Sequence, residues 1–156
     1  MTTLQIINWF RSIVMDQPGF SDTPGAELGS FTTGESLALN SVASAPLVWL
    51  ERPFQTSITL APYPLDVKYL LQFQVLDQEL SEGLNRDAVL SRCMAIGVSI
   101  IASIYENKPP GVIELPADQV VDTVELWRAG ADLWVGVRFE LEIKVRPTTN
   151  GCDVRR

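Results

Sequence analysis

Residues 133–146 read LWVGVRFELEIKVR: apolar side chains stand at Leu133, Val135, Val137, Phe139, Leu141, Ile143 and Val145, and Arg138, Glu140, Glu142 and Lys144 fall between them. Successive side chains of a strand point to opposite faces, so this period of two predicts a strand over 133–145 with one dry face and one charged face. Shorter stretches carry the same signal. Residues 67–76 (VKYLLQFQVL) place Tyr69, Leu71, Phe73 and Val75 on one side. Residues 46–50 and 54–60 predict two further strands, with a kink or bulge at Glu51, Arg52 and Pro53 between them. Residues 120–127 predict a fifth, joined to the last strand across RAGAD at 128–132. Pairing Trp127 with Trp134 sets Leu126 opposite Val135, Val124 opposite Val137 and Val120 opposite Leu141. That register keeps apolar residues off the charged row, although it leaves Asp122 facing Phe139.

Elsewhere the period lengthens to that of a helix. Thr2 and Gln5 form a capping-box pattern, and Ile6, Trp9, Phe10, Ile13 and Val14 follow at helical spacing until Pro18 and Gly19. This predicts a helix over 3–15 with Trp9 and Phe10 in the core. A second helix is expected over 86–105, with Asn85 as N-cap and Pro109-Pro110 beyond its end. Val89, Cys93, Ile96, Ile100 and Ile104 make its main stripe, widened by Leu90, Met94, Gly97 and Ile101, a face broad enough to require a sheet beneath it. Gly97 costs about 1 kcal/mol against Ala inside a helix, and close approach to a strand is the expected reason for it.

Between residues 17 and 45 the pattern dissolves into Gly, Ser, Thr, Asp and Pro, with Phe20, Leu28, Phe31, Leu37 and Leu39 scattered among them. A connection of that length is uncommon inside a compact domain and usually has a use. Together these elements predict an α+β domain over 1–146: a mainly antiparallel sheet of about five strands packed against two helices, with a long loop over 17–45 and a C-terminal tail over 147–156. A chain of 156 residues fits one such domain.

Composition narrows the functions. The residues are 46% hydrophobic and 20% charged, as in a soluble globular protein. The first fifteen residues lack the basic start and small-residue cleavage site of a signal peptide, and the longest apolar stretch, 93–104, is shorter than the roughly 20 residues of a membrane span. Twelve Lys and Arg against nineteen Asp and Glu leave a formal charge of −7, which disfavours a grip on phosphate backbones; DNA is expected to pass by such a surface without being specifically bound. Cys93 and Cys152 form neither a disulfide framework nor a metal pair, so the chain reads as intracellular in origin.

No enzymatic motif emerges. Histidine is absent, which removes histidine-based triads and imidazole relays. GFSD from Gly19 and GESL from Gly34 begin like nucleophile elbows but lack the second glycine and the strand-to-helix setting. Glu140 and Glu142 share a strand face at a spacing compatible with paired carboxylates, yet Arg138 and Lys144 bracket them and would keep both ionised. Asp77, Glu79 and Glu82 form an acidic stretch for which calcium is conceivable and solvation or helix-dipole matching the simpler reading. The expectation is therefore a non-enzyme with no catalytic residue, cofactor or metal. Trp127 and Trp134, on the outward side of the predicted hairpin, are expected to need a cover, either the long loop or another subunit.

The order of elements carries a resemblance. A helix, a long loop, APLVWLERP, VKYLLQFQVL, a long helix and a terminal hairpin ending in VGVRFELEIKV resemble the tail terminator or tail-completion proteins of tailed bacteriophages, α+β proteins that form a hexameric ring on the tail tube. The closing stretch, with Gly136, Val137 and Arg138 and a late Cys152, also looks like short virion proteins of phages with Bacteroidetes hosts. The chain departs from typical terminators in its long loop and its tail. The resemblance implies a homo-oligomer, a hexamer, meeting tail-tube and neck or connector proteins in the virion after assembly in the bacterial cytoplasm. It implies contact surfaces at Arg138, Glu140, Glu142, Lys144, Trp127, Trp134, Phe20, Phe31 and Arg52. Reversing Arg138 and Lys144 to Glu is then expected to spare the fold and impair assembly. The rival readings are another neck or head-to-tail connector subunit, and a small intracellular oligomer binding an apolar ligand between sheet and helix; a histidine-free enzyme stands behind both.

Overall fold

The computed structural model describes residues 1–20, 29–35, 45–52, 54–59, 66–79, 85–109, 112–127 and 134–146. The elements in order are α1 (Thr3–Met15), β1 (Ser30–Gly34), β2 (Leu47–Glu51), β3 (Gln55–Thr59), β4 (Asp66–Gln78), α2 (Arg86–Asn107), β5 (Ile113–Glu114), β6 (Asp122–Trp127) and β7 (Trp134–Val145). The fold is α+β: among the described residues, two helices and one curled, mixed sheet.

Two long strands form its centre. β4 and β7 pair antiparallel along almost their whole lengths, from Val67 opposite Val145 to Gln78 opposite Trp134. The shorter strands line up end to end along the outer edges of this ribbon. β2 and β3 occupy one edge of β4, at Phe73 to Leu76 and at Asp66 to Leu70, and the bend between them falls at the predicted kink. β6 and β5 occupy the far edge of β7 in the same manner. Between those two, the Gln119 side chain completes the ladder: its amide nitrogen donates to the Glu142 carbonyl and its oxygen accepts the Glu142 N–H.

The pleat assigns the faces as the alternation requires. Odd residues of β7 (Val135, Val137, Phe139, Leu141, Ile143, Val145) are buried under the helices, as are their β4 partners Leu71, Phe73 and Val75, while Tyr69 and Val67 are partly buried. Phe139 stacks on Phe73, centroids 5.0 Å apart, and Phe10 of α1 tilts onto Phe73 at 5.2 Å. Val89, Cys93, Gly97, Ile100 and Ile104 of α2 meet this layer. α2 is long and apolar enough to cross a membrane, a property hidden when only residues 93–104 are counted; here its apolar stripe lies on the sheet.

Local sequence explains the helix ends. The Thr2 and Gln5 capping box forms in both directions. Asn85 takes the N-cap position of α2 without a side-chain capping bond, so the expected cap is not made. Arginines tie down the start of this helix instead: Arg86 pairs with Glu79 at 2.6 Å and Arg92 with Asp77. Asp77 and Glu79 are therefore buried ion-pair partners rather than a solvated acidic loop; Glu82 lies outside the described residues. Buried Gln17 joins the two helices, donating to Ser103 Oγ at 3.0 Å and accepting from Ser99 Oγ at 2.6 Å. Trp9 is only partly buried; its indole N–H donates to the carbonyl of Asn107 at 3.3 Å.

Three expectations are corrected. The long connection contains β1, which pairs parallel with β2 and makes the sheet mixed, and two-residue β5 is a further strand. The register of β6 on β7 is one residue away from the expected one: Trp127 faces Val135, Val124 faces Arg138 and Asp122 faces Glu140. β6 is exposed on five of its six residues, so no buried face enforces its alternation. Leu126 and Trp127 supply the anchors described below. The expected tail over 147–156 lies outside the described residues.

Candidate functional site

The even face of the central ribbon, opposite the helices, divides into two parts. At one end Leu47, Leu76 and Trp134 bury one another in a small apolar cluster, with Ala45 and Leu126 against it. Gly136 belongs here because a Cβ would collide with the Val75 carbonyl oxygen and the Leu76 backbone. From Arg138 onward the face turns polar.

The polar part is a network within the chain. Arg138 makes a forked pair with Glu51, Nε to Oε1 at 2.7 Å and Nη2 to Oε2 at 3.2 Å, and its Nη1 reaches Glu140 at 3.3 Å. Gln74 donates to the same Glu51 at 2.8 Å, and Gln72 donates to Glu140 at 2.7 Å. Further along, Lys68 pairs with Glu142 at 3.1 Å, and Arg146 pairs with Glu114 at 2.9 Å. The Glu51 hydrogen bond raises the Arg138 pKa above its ordinary value, outweighing partial burial, so this guanidinium remains charged at every accessible pH. The Arg138 side chain is only 26% exposed and that of Glu51 19%; this pair holds β2 to β7 across β4. The exposure of Glu140 and Glu142 is 30% and 37%, enough to meet a partner while serving the fold. Lys144 makes no ion pair among the described residues, although it faces Lys68 in register and neighbours Glu114 on β5.

This geometry changes the charge-reversal expectation. Arg138→Glu would place a third carboxylate beside Glu51 and Glu140 and is expected to cost the folded chain about 1–3 kcal/mol, the range for breaking a partly buried charged pair. Lys144→Glu should stay within about 0.5 kcal/mol of the parent. Chemical denaturation of the two single variants measures the difference; equal midpoints would contradict the network described here.

The remaining expected contact residues separate. Trp134 is buried in the small apolar cluster, Phe20 is buried in the main core, and Phe31 is partly buried against Phe10, centroids 6.1 Å apart, so none of these three stands free on the surface of the chain. Trp127 and Trp134 do not share a face, because the observed register turns Trp127 toward the helix side. There Arg86 lies 4.8 Å over its ring, while Trp127 remains 62% exposed. Arg52 lies 4.9 Å over the Phe54 ring, and its buried Nε has no hydrogen-bond partner.

Beside Trp127, a groove of about 450 Å³ runs between α2 and the β6–β7 ribbon, lined by Asp87, Leu90, Ser91, Met94, Glu125 and Val137. Its floor is apolar and its rim carries two carboxylates. Among the described residues, no group of three or more Cys, Asp or Glu is placed to hold a metal. No protein-family model matches the chain, and no curated protein matches it.

Proposed function

We propose that the chain is a structural ring protein of a phage tail or neck, which ends tube polymerisation at the head-proximal end and joins tail to connector. The observation that supports this reading most is the division of the long ribbon: one face is sealed beneath two helices, while the other carries a half-exposed row of mixed charge at Lys68, Glu140, Glu142 and Lys144. Such a face sets register between neighbours more than it adds affinity. Its function is geometric. Six copies, or another closed number, would reproduce the tube's cross-section, stop further stacking and present the far side to the neck. DNA would pass a surface of net negative charge without being held. Another neck or head-to-tail subunit fits the same features.

Titration into a polymerising sample of the cognate tail-tube subunit tests the proposal. Electron micrographs should show tubes that become shorter as the chain is added, at unchanged diameter; tubes of unaltered length would contradict it.

The groove between α2 and β6 favours a second reading, a small oligomer that binds an apolar cation. Leu90, Met94 and Val137 would hold its body, and Asp87 and Glu125 its charge.

A further inference from the structure

Among the described residues, two strands besides the terminal β1 and β5 have one partner only. Among the described residues β3 pairs only with β4, and all five of its residues are exposed; β6 likewise pairs only with β7, and five of its six residues are exposed. Large apolar side chains lie open on or beside both: Ile58 is 61% exposed, and Val120, Val124 and Trp127 are 81%, 53% and 62% exposed. Sheet edges are ordinarily blunted by Lys, Pro or bulges. β3, QTSIT, has none of these within it and carries two threonines and an isoleucine, residues that favour extended chain.

We infer that the β3 edge of one copy pairs antiparallel with the β6 edge of the next copy, so that the sheet runs on from subunit to subunit. This rests on the ring reading above and names the contact that would build it. Strand direction permits the match. β3 and β7 both run opposite to β4, and β6 runs opposite to β7, so a copy placed edge to edge in the same orientation brings β6 antiparallel to β3.

Charge selects this pairing over self-pairing. β6 carries Asp122 and Glu125, and Asp122 already faces Glu140; two β6 strands side by side would crowd carboxylates together. β3 carries no charge, and the cations Lys68 and Arg52 stand beside it. Pairing β3 with β3 would leave the three open apolar residues around β6 uncovered. A contact between unlike edges repeats until it closes, which is the heterologous geometry of a ring.

The two edges sit at opposite ends of the ribbon. β3 lies level with Asp66 to Leu70 of β4, and β6 lies level with the region of β4 opposite Val135 to Glu140. The offset is about six residues, roughly 20 Å, across four strands that together span roughly 19 Å. Neighbours related in this way incline the strands at roughly 45° to the ring axis, near the tilt of closed barrels. On the face away from the helices Ser57 and Val124 would then approach each other, whereas Thr56 projects to the helix side.

Cross-linking tests the contact in a Cys152→Ser background, which leaves only buried Cys93, whose thiol is pushed up to about 12 by burial and stays unreactive. Ser57→Cys and Val124→Cys chains of distinguishable mass are co-expressed and treated with a short bis-maleimide. The expected product is the mixed dimer, with no dimer from either chain alone, and a double variant should give a ladder ending at the copy number of the ring. Thr56→Cys with Val124→Cys, on opposite faces, should lose the mixed dimer. Dimers of either single variant with itself would overturn the inference in favour of a two-fold contact. Rings of normal mass with no cross-link would overturn it while the ring reading stands. A chain monomeric by mass at every concentration would overturn both.

Discussion

Phe139→Asp is expected to abolish cooperative folding. Phe139 is fully buried, stacks on Phe73 at 5.0 Å and lies beneath Gly97 of α2. An aspartate there loses an aromatic contact worth about 0.5–1.5 kcal/mol beyond its buried area. It also places a carboxylate among aliphatic and aromatic side chains where no described cation stands. The combined cost, more than about 4 kcal/mol, is a large part of the 5–15 kcal/mol that stabilises an ordinary domain. Far-UV circular dichroism against temperature checks this: the variant should show no cooperative transition, and a soluble variant melting near the parent temperature would mean that the two faces of β7 have been inverted.

Gly97→Ala should destabilise despite being favourable for an isolated helix by about 1 kcal/mol. A Cβ at residue 97 would lie inside the contact distance of three carbons of the Phe139 ring, and the stack on Phe73 prevents that ring from swinging away. Overpacking of this kind costs about 1–3 kcal/mol and outweighs the helical gain. Gly97→Val, with two further methyls and a β-branched side chain, should lose more. The cause is separable: Phe139→Leu combined with Gly97→Ala should cost less than the sum of the single changes, because the smaller side chain vacates the space that the new methyl needs. Strict additivity in denaturant midpoints would show that the glycine serves some other purpose.

Both predictions rest on residues whose placement is legible in the sequence. The long two-faced strand, its partner β4 and the stripe of α2 follow from periodicity, because burial on one face leaves a regular mark in the chain; the close approach at Gly97 follows from the cost of a glycine inside a helix. β1 left no such mark. SFTTG is half polar, and its parallel partner is more than a dozen residues away, so nothing local distinguishes it from the loop around it. The slip of β6 has the related cause that a strand exposed on five of its six residues has almost no burial pattern to obey. Its position comes from Leu126 in the small apolar cluster and Trp127 under Arg86, contacts made to distant parts of the chain.

The charged row was legible as a face but not as a network. Glu51, the main partner of Arg138, sits at a kink, and Gln72 and Gln74 occupy the even positions of β4, whose alignment with β7 no single-strand pattern discloses. Consequently Arg138 serves the fold first, and the residues freer to meet a neighbour are Lys144, Asp122 and the exposed side chains of β3 and β6. The exposed edges are themselves a tertiary property: β3 and β6 read as ordinary strands until the topology shows that, among the described residues, each has a single partner.

The central claim is that a sheet sealed on one side and open at two unlike edges builds a closed ring. Negative-stain class averages of the purified chain at micromolar concentration test it most directly. Closed particles with a central opening and six-fold symmetry are the predicted result; monomers, or compact pairs related by a two-fold axis, would contradict it.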